Sequence, residues 1–516
     1  MIKILWADDE IEMLKPHIIF LNSKGYKVLT TNNGNDALEI LAQEHVDIVF
    51  LDEQMPGLSG IETLEQIKRL RPNLPVIMIT KSEEENLMEN AIGSNIADYL
   101  IKPVNPNQIL LSLKKNLENK VLVDQKTTRS YQEEFRNISM NLSDNMNFSE
   151  WVQTYKNLVS WELRLETILD KTMYEIFEQQ KQEANALFSK FFERNYKKWL
   201  TSSEEEKPIM NHFALKKLVF PKLSIDKKYF MIVIDNMRYD QWKQIEKIIS
   251  GFYRVDNEHI ISSILPTTTQ YARNSLFAGL MPSEIQQMYP QYWVNEEDDG
   301  SKNQHEDFFL QENLKRHGKK DIRFSYNKVL NLQAGKKLFD SLPNLMVNDF
   351  NVIVYNFVDM LSHARTEMEI IKELADDDAA YRSLTESWFE HSALYDIIKY
   401  LHEKKVQLII TTDHGSVKVT NPIKIIGDRE TNTNLRYKTG RNLSYSSKDV
   451  MEVKNPTEIF LPRKNISSTY VFTKNNDFFA YPNNYNYYAN YYKNSFQHGG
   501  ISMEELLIPL AFLSPR

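Results

Sequence analysis

The sequence predicts a mixed α/β protein with an N-terminal doubly wound five-stranded parallel sheet, a central helical bundle and a larger C-terminal α/β domain. Three observations predict this fold class. Five strand–helix repeats occupy the first 120 residues, a helical pattern without Pro or Gly runs from Leu122 to Glu206, and strand–helix alternation returns after Pro208. The length of 516 residues is enough for several domains. We place the domains at 1–120, 121–207 and 208–516.

The composition restricts the classes of function. The net charge of −8 argues against a protein that coats nucleic acid. The chain has no cysteine, so any transition metal must be held by His, carboxylate or hydroxyl groups. No apolar run approaches the roughly 20 residues of a membrane-spanning helix, and the N-terminus turns acidic too early for a signal peptide. We therefore expect a soluble cytoplasmic protein without a membrane span.

Apolar runs alternate with amphipathic segments in the first 120 residues. The strands are predicted at Ile2–Trp6, Lys27–Thr30, Val46–Leu51, Val76–Ile79 and Ala97–Ile101. The helices are predicted near 11–23, 35–44, 59–70, 83–92 and 105–118. Such repeats form a parallel sheet, and ligands bind such sheets at the carboxyl ends of the strands.

Polar residues follow four of these strands at that edge. They are Asp8, Asp9, Asp52, Thr80 and Lys102. Three carboxylates suit a hard cation such as Mg²⁺, while a lysine and a hydroxyl suit a phosphoryl group.

These residues, in segments such as Phe-Leu-Asp-Glu-Gln-Met-Pro-Gly and Lys-Pro, resemble the receiver domain of two-component response regulators over its full length. The resemblance implies that Asp52 accepts a phosphoryl group from a sensor histidine kinase. It also implies that Asp8, Asp9 and Asp52 hold Mg²⁺. The other residues it implicates are Thr80 and Lys102 as phosphoryl contacts and Tyr99 as the switch aromatic.

The middle of the chain carries a long apolar stripe at helical spacing. The stripe includes Trp151, Leu158 and Trp161 and continues to Trp199, and Asn141–Ser149 is interpreted as a capped break. We favour a packed helical core, with a partner surface as the alternative. No helix-turn-helix pattern is present, so we expect no sequence-specific DNA-binding domain.

Four separate segments of the C-terminal part carry oxygen and nitrogen ligands, three of them directly after apolar runs. Asp235 follows the run Tyr229–Ile234, and the pair Asp359 and His363 follows the run Asn351–Val358. The pair Asp413 and His414 follows the run Gln407–Thr412, and His498 precedes Gly-Gly. The Asp-x-x-x-His spacing puts both side chains on one face of a helical turn. Together the six ligands suit two Zn²⁺ or Mn²⁺ ions, which can clamp the oxygens of an in-line displacement.

The segment Ile264–Gly279 offers a nucleophile. Its threonines form a turn before a helix predicted to run through about Phe277, and a hydroxyl at a helix N-terminus lies in positive potential. Metal coordination would activate that hydroxyl. Arg273 lies four residues after Thr269, so it can brace a phosphoryl oxygen. The alternative is a Thr-rich cap with a solvent-exposed Arg.

The order of these ligands resembles the alkaline phosphatase superfamily over roughly residues 208–516. Pro-Thr-Thr-Thr-x-x-x-Arg and His-Gly-Gly-x-Ser-x-Glu-Glu resemble its PglZ branch. Thr269 stands ten residues before Gly279, as nucleophile and glycine do in nucleotide phosphodiesterase relatives, with Thr268 as the alternative. Ser362 departs from the pattern, because many relatives have Gly there. The resemblance implies one metal held by Asp235, Thr269, Asp413 and His414, and another held by Asp359, His363 and His498.

A receiver joined through helices to a PglZ domain resembles the PorX-type response regulators. The resemblance implies a regulator of type IX secretion that dimerises on phosphorylation and controls a two-zinc phosphodiesterase acting on cyclic or linear oligonucleotides. The insertions 285–345 and 425–490 are rich in Tyr, Asn and Lys, which suits either contacts to bases and phosphates or solubilising cover. The alternative function is a non-enzymatic scaffold that binds a sigma factor or secretion component and uses zinc structurally.

Overall fold

The structure is a computed structural model of the chain. It consists of two compact units, Met1–Gln132 and Glu133–Arg516. The residues that it describes are 2–72, 74–81, 96–143, 145–166, 171–202, 207–225, 227–296, 298, 300–375, 377–427, 431–463, 465 and 467–516.

The first unit contains a five-stranded parallel sheet in the order β2-β1-β3-β4-β5. Its strands are β1 (Lys3–Ala7), β2 (Lys27–Thr31), β3 (Ile48–Asp52), β4 (Val76–Thr80) and β5 (Asp98–Ile101). Its first helices are α1 (Lys15–Ser23), α2 (Gly34–Gln43) and α3 (Gly60–Leu70). Alternate residues of β3 join separate apolar clusters, one with Leu51 and one with Phe50, because successive side chains point to opposite faces. The helix predicted near 83–92 lies outside the described residues.

Helix α4 (Pro106–Asn141) is one continuous helix of 36 residues. The helix predicted near 105–118 is therefore too short, and its predicted end is wrong because no Pro or Gly interrupts the helix after Pro106. The predicted domain boundary after residue 120 therefore falls within a helix.

Two further helices, α5 (Phe148–Leu165) and α6 (Lys171–Thr201), follow α4. Asn147 caps α5 at the predicted break, since its side chain accepts a hydrogen bond from the backbone of Glu150 at 3.0 Å. The apolar stripe is packed core: Trp151 and Phe188 are fully buried, with ring centroids 5.5 Å apart. The partner-surface alternative is not what the structure shows for these rings.

The second unit is built around a six-stranded sheet in the order β7-β18-β10-β6-β9-β8. Strands β10, β6, β9 and β8 are parallel, while β18 and β7 run antiparallel to their neighbours. The strands are β6 (Tyr229–Ile234), β7 (Tyr253–Ser262), β8 (Phe324–Val329), β9 (Phe350–Tyr355), β10 (Gln407–Thr411) and β18 (Leu507–Pro515). The run predicted to be strand through Val358 ends at Tyr355, since a helix starts at Phe357.

Helices cover this sheet and lead into its strand ends. They are α7 (Asn211–Ala214), α8 (Tyr239–Ile249), α9 (Thr269–Ala278), α10 (Pro282–Met288), α11 (Glu306–Arg316), α12 (Leu332–Leu345), α13 (Phe357–Glu367), α14 (Glu369–Leu374), α15 (Asp378–Glu390), α16 (Ala393–Glu403), α17 (Tyr485–Tyr492) and α18 (Met503–Leu506). The predicted helix after the threonines is thus present as α9.

Small sheets fill the segment between β10 and β18. Strand pairs are formed by β11 (Val417–Lys418) with β17 (Phe496–Gln497) and by β12 (Asn421–Lys424) with β16 (Asp477–Ala480). A three-stranded antiparallel sheet contains β13 (Tyr437–Gly440), β14 (Val450–Val453) and β15 (Thr469–Thr473). The predicted fold class is confirmed, and no described helix is long and apolar enough to cross a membrane.

A buried ionic cluster ties α5 and α6 to the sheet domain. Lys181 Nζ lies 3.0 Å from Glu162 and 3.4 Å from Glu504. Arg382 Nη1 lies 2.7 Å from Glu162 and 2.6 Å from Asp240. Burial opposes ionisation of Glu162, but the charges of Lys181 and Arg382 outweigh it and lower the pKa of Glu162 to about 2.

Replacing Lys181 with Met tests this cluster. The substitution leaves two buried carboxylates without their shared cation, so we expect the free energy of unfolding to fall by about 3–5 kcal/mol. The control is Lys197→Met, which removes the exposed pair between Lys197 and Glu458 and should leave the urea midpoint close to that of wild type. Urea unfolding followed by tryptophan fluorescence measures both, and equal midpoints would contradict the prediction.

Candidate functional site

Six predicted ligand residues meet at the carboxyl edge of neighbouring parallel strands β10, β6 and β9. Asp235 follows β6 directly, Asp413 follows β10, and α13 after β9 carries Asp359 and His363 one turn apart. Two groups result, and within each the ligand atoms lie within 4.8 Å of one another. One group is Asp235, Asp413 and His414, and the other is Asp359, His363 and His498. This grouping is the one that the resemblance to the alkaline phosphatase superfamily implies, and metal binding by it stays a prediction.

Backbone carbonyls orient His414 and His498. His414 Nδ1 lies 3.1 Å from Gly415 O, and His498 Nδ1 lies 3.2 Å from Thr267 O. A carbonyl only accepts, so each Nδ1 carries a proton. At His414 this leaves the lone pair of Nε2 for a metal, while His498 Nε2 lies 3.4 Å from Asp359 Oδ1. Burial lowers the pKa of His414, which favours the neutral, metal-binding form.

The buried carboxylate of Asp413 and the chemical types of the ligands also suit metal ions. Asp413 is fully buried, and no hydrogen-bond donor among the described residues reaches its Oδ2. A buried carboxylate oxygen without a partner is costly, and a cation would satisfy it. Two imidazole-and-carboxylate groups without sulfur match the preferences of Zn²⁺ and Mn²⁺.

Thr269 is the first residue of α9 and faces the first group. Its Oγ1 donates to Asp235 Oδ1 at 3.2 Å and lies 3.3 Å from His414 Nε2. Among the three neighbouring threonines, this is the hydroxyl that touches the ligand set. The helix N-terminus adds positive potential at the same oxygen.

The other two threonines have different surroundings. Thr268 stands at the cap position of α9, makes no side-chain cap hydrogen bond, and has no Oγ1 partner within the described part of the chain. Thr267 instead accepts from Gly499 N at 2.9 Å and donates to Gly500 O at 3.1 Å, so it holds the loop that carries His498. Sequence reasoning missed that role of Thr267.

The structure corrects the expectation for Arg273. Its side chain is buried, with Nη1 2.5 Å from Asp235 and Nε 2.5 Å from Glu306. It neither points into the cavity to brace a phosphoryl oxygen nor faces solvent. The reason is that α9 is covered on all sides after its first turn, so residue 273 meets the carboxylates beneath the strand end.

Sequence reasoning also missed the residues that support Arg273 and Thr269. Glu306 accepts from Arg273 and from Asn303 Nδ2 at 3.1 Å, and Asn303 donates to the backbone oxygen of Thr269 at 3.0 Å. These residues lie more than thirty positions from Thr269, in an insertion that carries no motif, so nothing in the sequence signalled them.

Asn236 links the two ligand groups. Its backbone N donates to Asp413 Oδ1 at 3.4 Å, and its Nδ2 lies 3.5 Å from Asp359 Oδ1 and 3.2 Å from Ser362 Oγ. A φ of 63° places it in the left-handed region, which Asn tolerates better than most residues. Ser362, the departure from the family pattern, accepts this hydrogen bond. The one available signal was the position of Asn236 directly after Asp235.

Close packing explains the glycine of Asp-His-Gly. A Cβ on Gly415 would lie 2.1 Å from the backbone oxygen of Glu504. Gly499, with a φ of 123°, gives the turn after His498 a conformation that other residues rarely adopt. Both glycines therefore fix the backbone next to a predicted ligand.

An open cavity of about 750 Å³ lies in front of the site. Thr268, Thr269, Asp359, His363 and His498 line this cavity. Its lining also includes Asn303, Glu296, Asn434, Tyr437, Tyr491 and Tyr492. The second ligand group is thus accessible from solvent, while the first is buried behind Thr269.

Burial and neighbouring charges shift the pKa of one carboxylate in each ligand group. Burial raises the pKa of Asp359, but the hydrogen bond and charge of His498 outweigh burial and hold this pKa below its usual value. At Asp235 burial dominates, and its pKa lies well above the usual value despite the Arg273 guanidinium. Carboxylates crowded at one edge in this way favour the arrival of a cation.

The first unit forms a separate carboxylate site at its own sheet edge. Oxygens of Asp8, Asp9 and Asp52 lie within 4.8 Å of one another, and Lys102 Nζ lies 3.0 Å from both Asp8 and Asp52. Burial raises the pKa of Asp52 to about 6, against the opposing effect of the Lys102 hydrogen bond. An all-oxygen set with three negative charges fits Mg²⁺.

Thr80 and Tyr99, the two other residues predicted for the receiver site, have different surroundings. The Thr80 hydroxyl donates to the carboxylate of Glu53, the neighbour of Asp52. Tyr99 is half-buried against the apolar cluster that contains Leu51 and Met78. Their roles in phosphoryl binding and switching stay predictions.

Comparisons with protein families agree with this geometry. The response regulator receiver domain matches residues 4–114, the PorX response regulator linker domain matches 121–200, and the BREX system PglZ alkaline phosphatase-like domain matches 214–512. The fold and both sites therefore define a response regulator with a phosphatase-like effector, and none of the matched families is a DNA-binding domain. The chain belongs to the PglZ alkaline phosphatase-like family, in the PorX-type arrangement of receiver, linker and effector. The predicted resemblance is confirmed.

Individual relatives share part of the chain. The transcriptional regulatory protein ZraR of Klebsiella oxytoca is 33% identical over 129 residues, which is 25% of this chain and 29% of that protein. The CpxR homolog of Haemophilus influenzae is 31% identical over 178 residues, 33% of this chain and 74% of that protein. A receiver domain crystal structure from Clostridium thermocellum is 30% identical, covers 24% of this chain and 98% of its own, and has a TM-score of 0.23. The chain thus spans less than a third of the length of its ZraR relative.

Replacing Arg273 with Met distinguishes structural support from substrate contact. The change leaves Asp235 buried without its cation, so we expect the metal-free protein to lose about 3–5 kcal/mol of unfolding free energy. Lys302→Met is the control, since Lys302 lines the cavity and donates to the backbone oxygen of Asn295. Urea unfolding is the measurement, and an Arg273→Met protein as stable as wild type would contradict the burial argument.

Proposed function

We propose that the receiver of this response regulator controls a metal-dependent phosphodiesterase in its PglZ domain. The observation that carries the proposal is the position of Thr269 Oγ1, 3.2 Å from Asp235 Oδ1 and 3.3 Å from His414 Nε2. This hydroxyl stands at a helix N-terminus and contacts the first ligand group, and the cavity beside it is lined by the second ligand group. A nucleophile needs this arrangement. We propose the parts 1–120, 121–207 and 208–516 as receiver, linker and effector.

The metals proposed are two Zn²⁺, with Mn²⁺ as the alternative, and a Mg²⁺ in the receiver. Asp235, Asp413, His414 and Thr269 would hold one zinc, Asp359, His363 and His498 would hold the other, and Asp8, Asp9 and Asp52 would hold Mg²⁺. Zinc bound there would supply Lewis-acid activation of the hydroxyl and of the phosphoryl oxygens.

The residues of the chain would carry the reaction in two displacements. Thr269 Oγ attacks phosphorus in line, the bond to the leaving oxygen breaks, and the hydroxyl proton ends on the leaving alcohol. Water then attacks the phospho-threonine, which releases a phosphomonoester and restores the hydroxyl. Asp235 holds Oγ1 in place, and Arg273 and Asn303 act as positioning residues through Asp235 and the Thr269 backbone.

The proposed substrates are phosphodiesters, in particular cyclic or linear oligonucleotides. The cavity of about 750 Å³ has room for both substituents of a diester, and its wall offers Asn and Tyr side chains suited to bases. The family resemblance supports the same class, and it also supports regulation of type IX secretion as the output.

The nucleophile is tested with zinc-loaded protein and bis(para-nitrophenyl) phosphate. We expect Thr269→Ala to lower kcat by at least about a thousandfold, because the neighbouring hydroxyls of Thr267 and Thr268 do not contact the ligand set. Thr269→Ser keeps a hydroxyl and should retain measurable turnover, and Thr268→Ala should lose far less than Thr269→Ala. Equal background rates in wild type and Thr269→Ala would reject the enzyme and favour a non-enzymatic scaffold that binds a protein partner such as a sigma factor or secretion component.

Metal content is tested independently of activity. Wild type should contain two equivalents of zinc by elemental analysis after dialysis, and Asp359→Ala should contain one, because the first group remains intact. His391→Ala is a matched control on an exposed histidine outside both groups. Two equivalents in Asp359→Ala would contradict the assignment of that group.

Control by the receiver is tested with beryllofluoride, which mimics a phosphoryl group. A sensor histidine kinase would phosphorylate Asp52, and we propose that this shifts the chain towards a receiver-mediated homodimer, which requires only a few kcal/mol. Sedimentation should show a larger species with beryllofluoride and Mg²⁺ in wild type and no change in Asp52→Ala. Unchanged sedimentation in both would reject this step.

A further inference from the structure

Helix α17 (Tyr485–Tyr492) carries an unusual set of exposed aromatic side chains. Its sequence, Tyr-Asn-Tyr-Tyr-Ala-Asn-Tyr-Tyr, contains five tyrosines in eight residues. At the C-terminal end Tyr491 and Tyr492 line the cavity in front of Thr269. One turn earlier, Tyr487 is 61% exposed and Tyr488 is 39% exposed. The aromatic surface therefore continues from the cavity to the outside of the molecule.

The rings form two rows along the helix. Tyr487 and Tyr491 have centroids 6.0 Å apart and planes inclined by 17°, and Tyr488 and Tyr492 have centroids 6.2 Å apart and planes inclined by 14°. The spacing of four residues brings each pair onto one side of the helix. In each row the two rings are nearly parallel, with one ring on the exposed turn and the other lining the cavity.

Positive charges accompany the rings. Lys372 Nζ lies 4.0 Å from the Tyr491 ring centroid, Lys424 Nζ lies 4.9 Å from the Tyr485 centroid, and Lys493 is exposed directly after the helix. Aromatic rings beside lysines are the combination that binds single-stranded nucleic acid, in which bases stack and phosphates pair with cations. The interleaved Asn486 and Asn490 make the surface polar, which does not suit a lipid partner.

We infer that α17 is a stacking track that binds the bases of a linear single-stranded oligonucleotide while one of its phosphodiester bonds lies at Thr269. The inference deepens the proposed function and rests on it for the position of the scissile bond. Tyr491 and Tyr492 take the nucleotide next to the cleaved bond, and Tyr487 and Tyr488 take nucleotides further along the strand. The track thus favours long substrates over dinucleotides.

The test measures binding separately from cleavage. Zinc-loaded full-length protein carrying Thr269→Ala is titrated against fluorescein-labelled oligoadenylates of two and six nucleotides, with anisotropy as the readout. With an intact track the longer strand should bind more tightly by about 5- to 100-fold for each additional stacked base. The double change Tyr487→Ala and Tyr488→Ala should remove most of this gain.

Two further variants serve as controls. Tyr487→Phe with Tyr488→Phe keeps the ring faces and should keep the gain with length. Tyr400→Ala removes a tyrosine that also lies near a lysine, 5.4 Å from Lys404, but does not line the cavity, so it should keep the gain as well. A thermal unfolding midpoint equal to that of the parent protein establishes that each variant is folded.

The outcomes separate the two proposals. A gain that persists in the double Ala variant, or that Tyr400→Ala removes equally, overturns the track. If either of these results is obtained and the protein still cleaves an aryl diester, the stacking track is rejected and the proposed function remains. If oligonucleotide binding depends on the α17 tyrosines but the protein cleaves no diester, the stacking track remains and the proposed hydrolysis is rejected.

Discussion

Crowding of buried carboxylates at the carboxyl edge of a parallel sheet is the constraint on which both halves of this protein depend. Asp8 and Asp52 in the receiver, and Asp235 and Asp413 in the effector, lie almost fully out of contact with water. Like charges at such a position are costly unless cations compensate them. Lys102 lies beside the receiver carboxylates, and Arg273 lies beside Asp235 in the effector. The remaining negative charge makes each edge suited to metal ions.

Much of the surrounding structure serves to hold the effector edge rigid. Carbonyl groups orient His414 and His498, Thr267 holds the loop of His498, and Asn236 joins the two ligand groups. Side chains that contact a metal or a nucleophile need such support, because errors of an ångström weaken catalysis severely. The supporting residues come from loops that are distant in sequence.

The linker helices share the packing of the effector. Lys181 and Asn185 of α6 bind the carboxylate of Glu504, the neighbour of Glu505. Glu505 in turn accepts from the backbone of Gly500, two residues after His498. Helix α6 therefore contacts the segment that carries a predicted metal ligand. Helix α6 is thus part of the effector's core.

The resemblance to the alkaline phosphatase superfamily implied the division of the ligands between two groups. The sequence by itself determined the fold class and the residues at the strand ends. It did so because strand periodicity is local, and because parallel strands present their carboxyl ends at one edge whatever the details of packing. Only the tertiary structure decided the direction of Arg273, the role of Thr267 in holding the loop of His498, and the length of α4. Arg273 shows the reason. Helical spacing gives the face of the helix on which a side chain lies. The carboxylates of Asp235 and Glu306 that bind Arg273 come from elsewhere in the chain. Without those partners, burial of the Arg273 guanidinium would be prohibitively unfavourable.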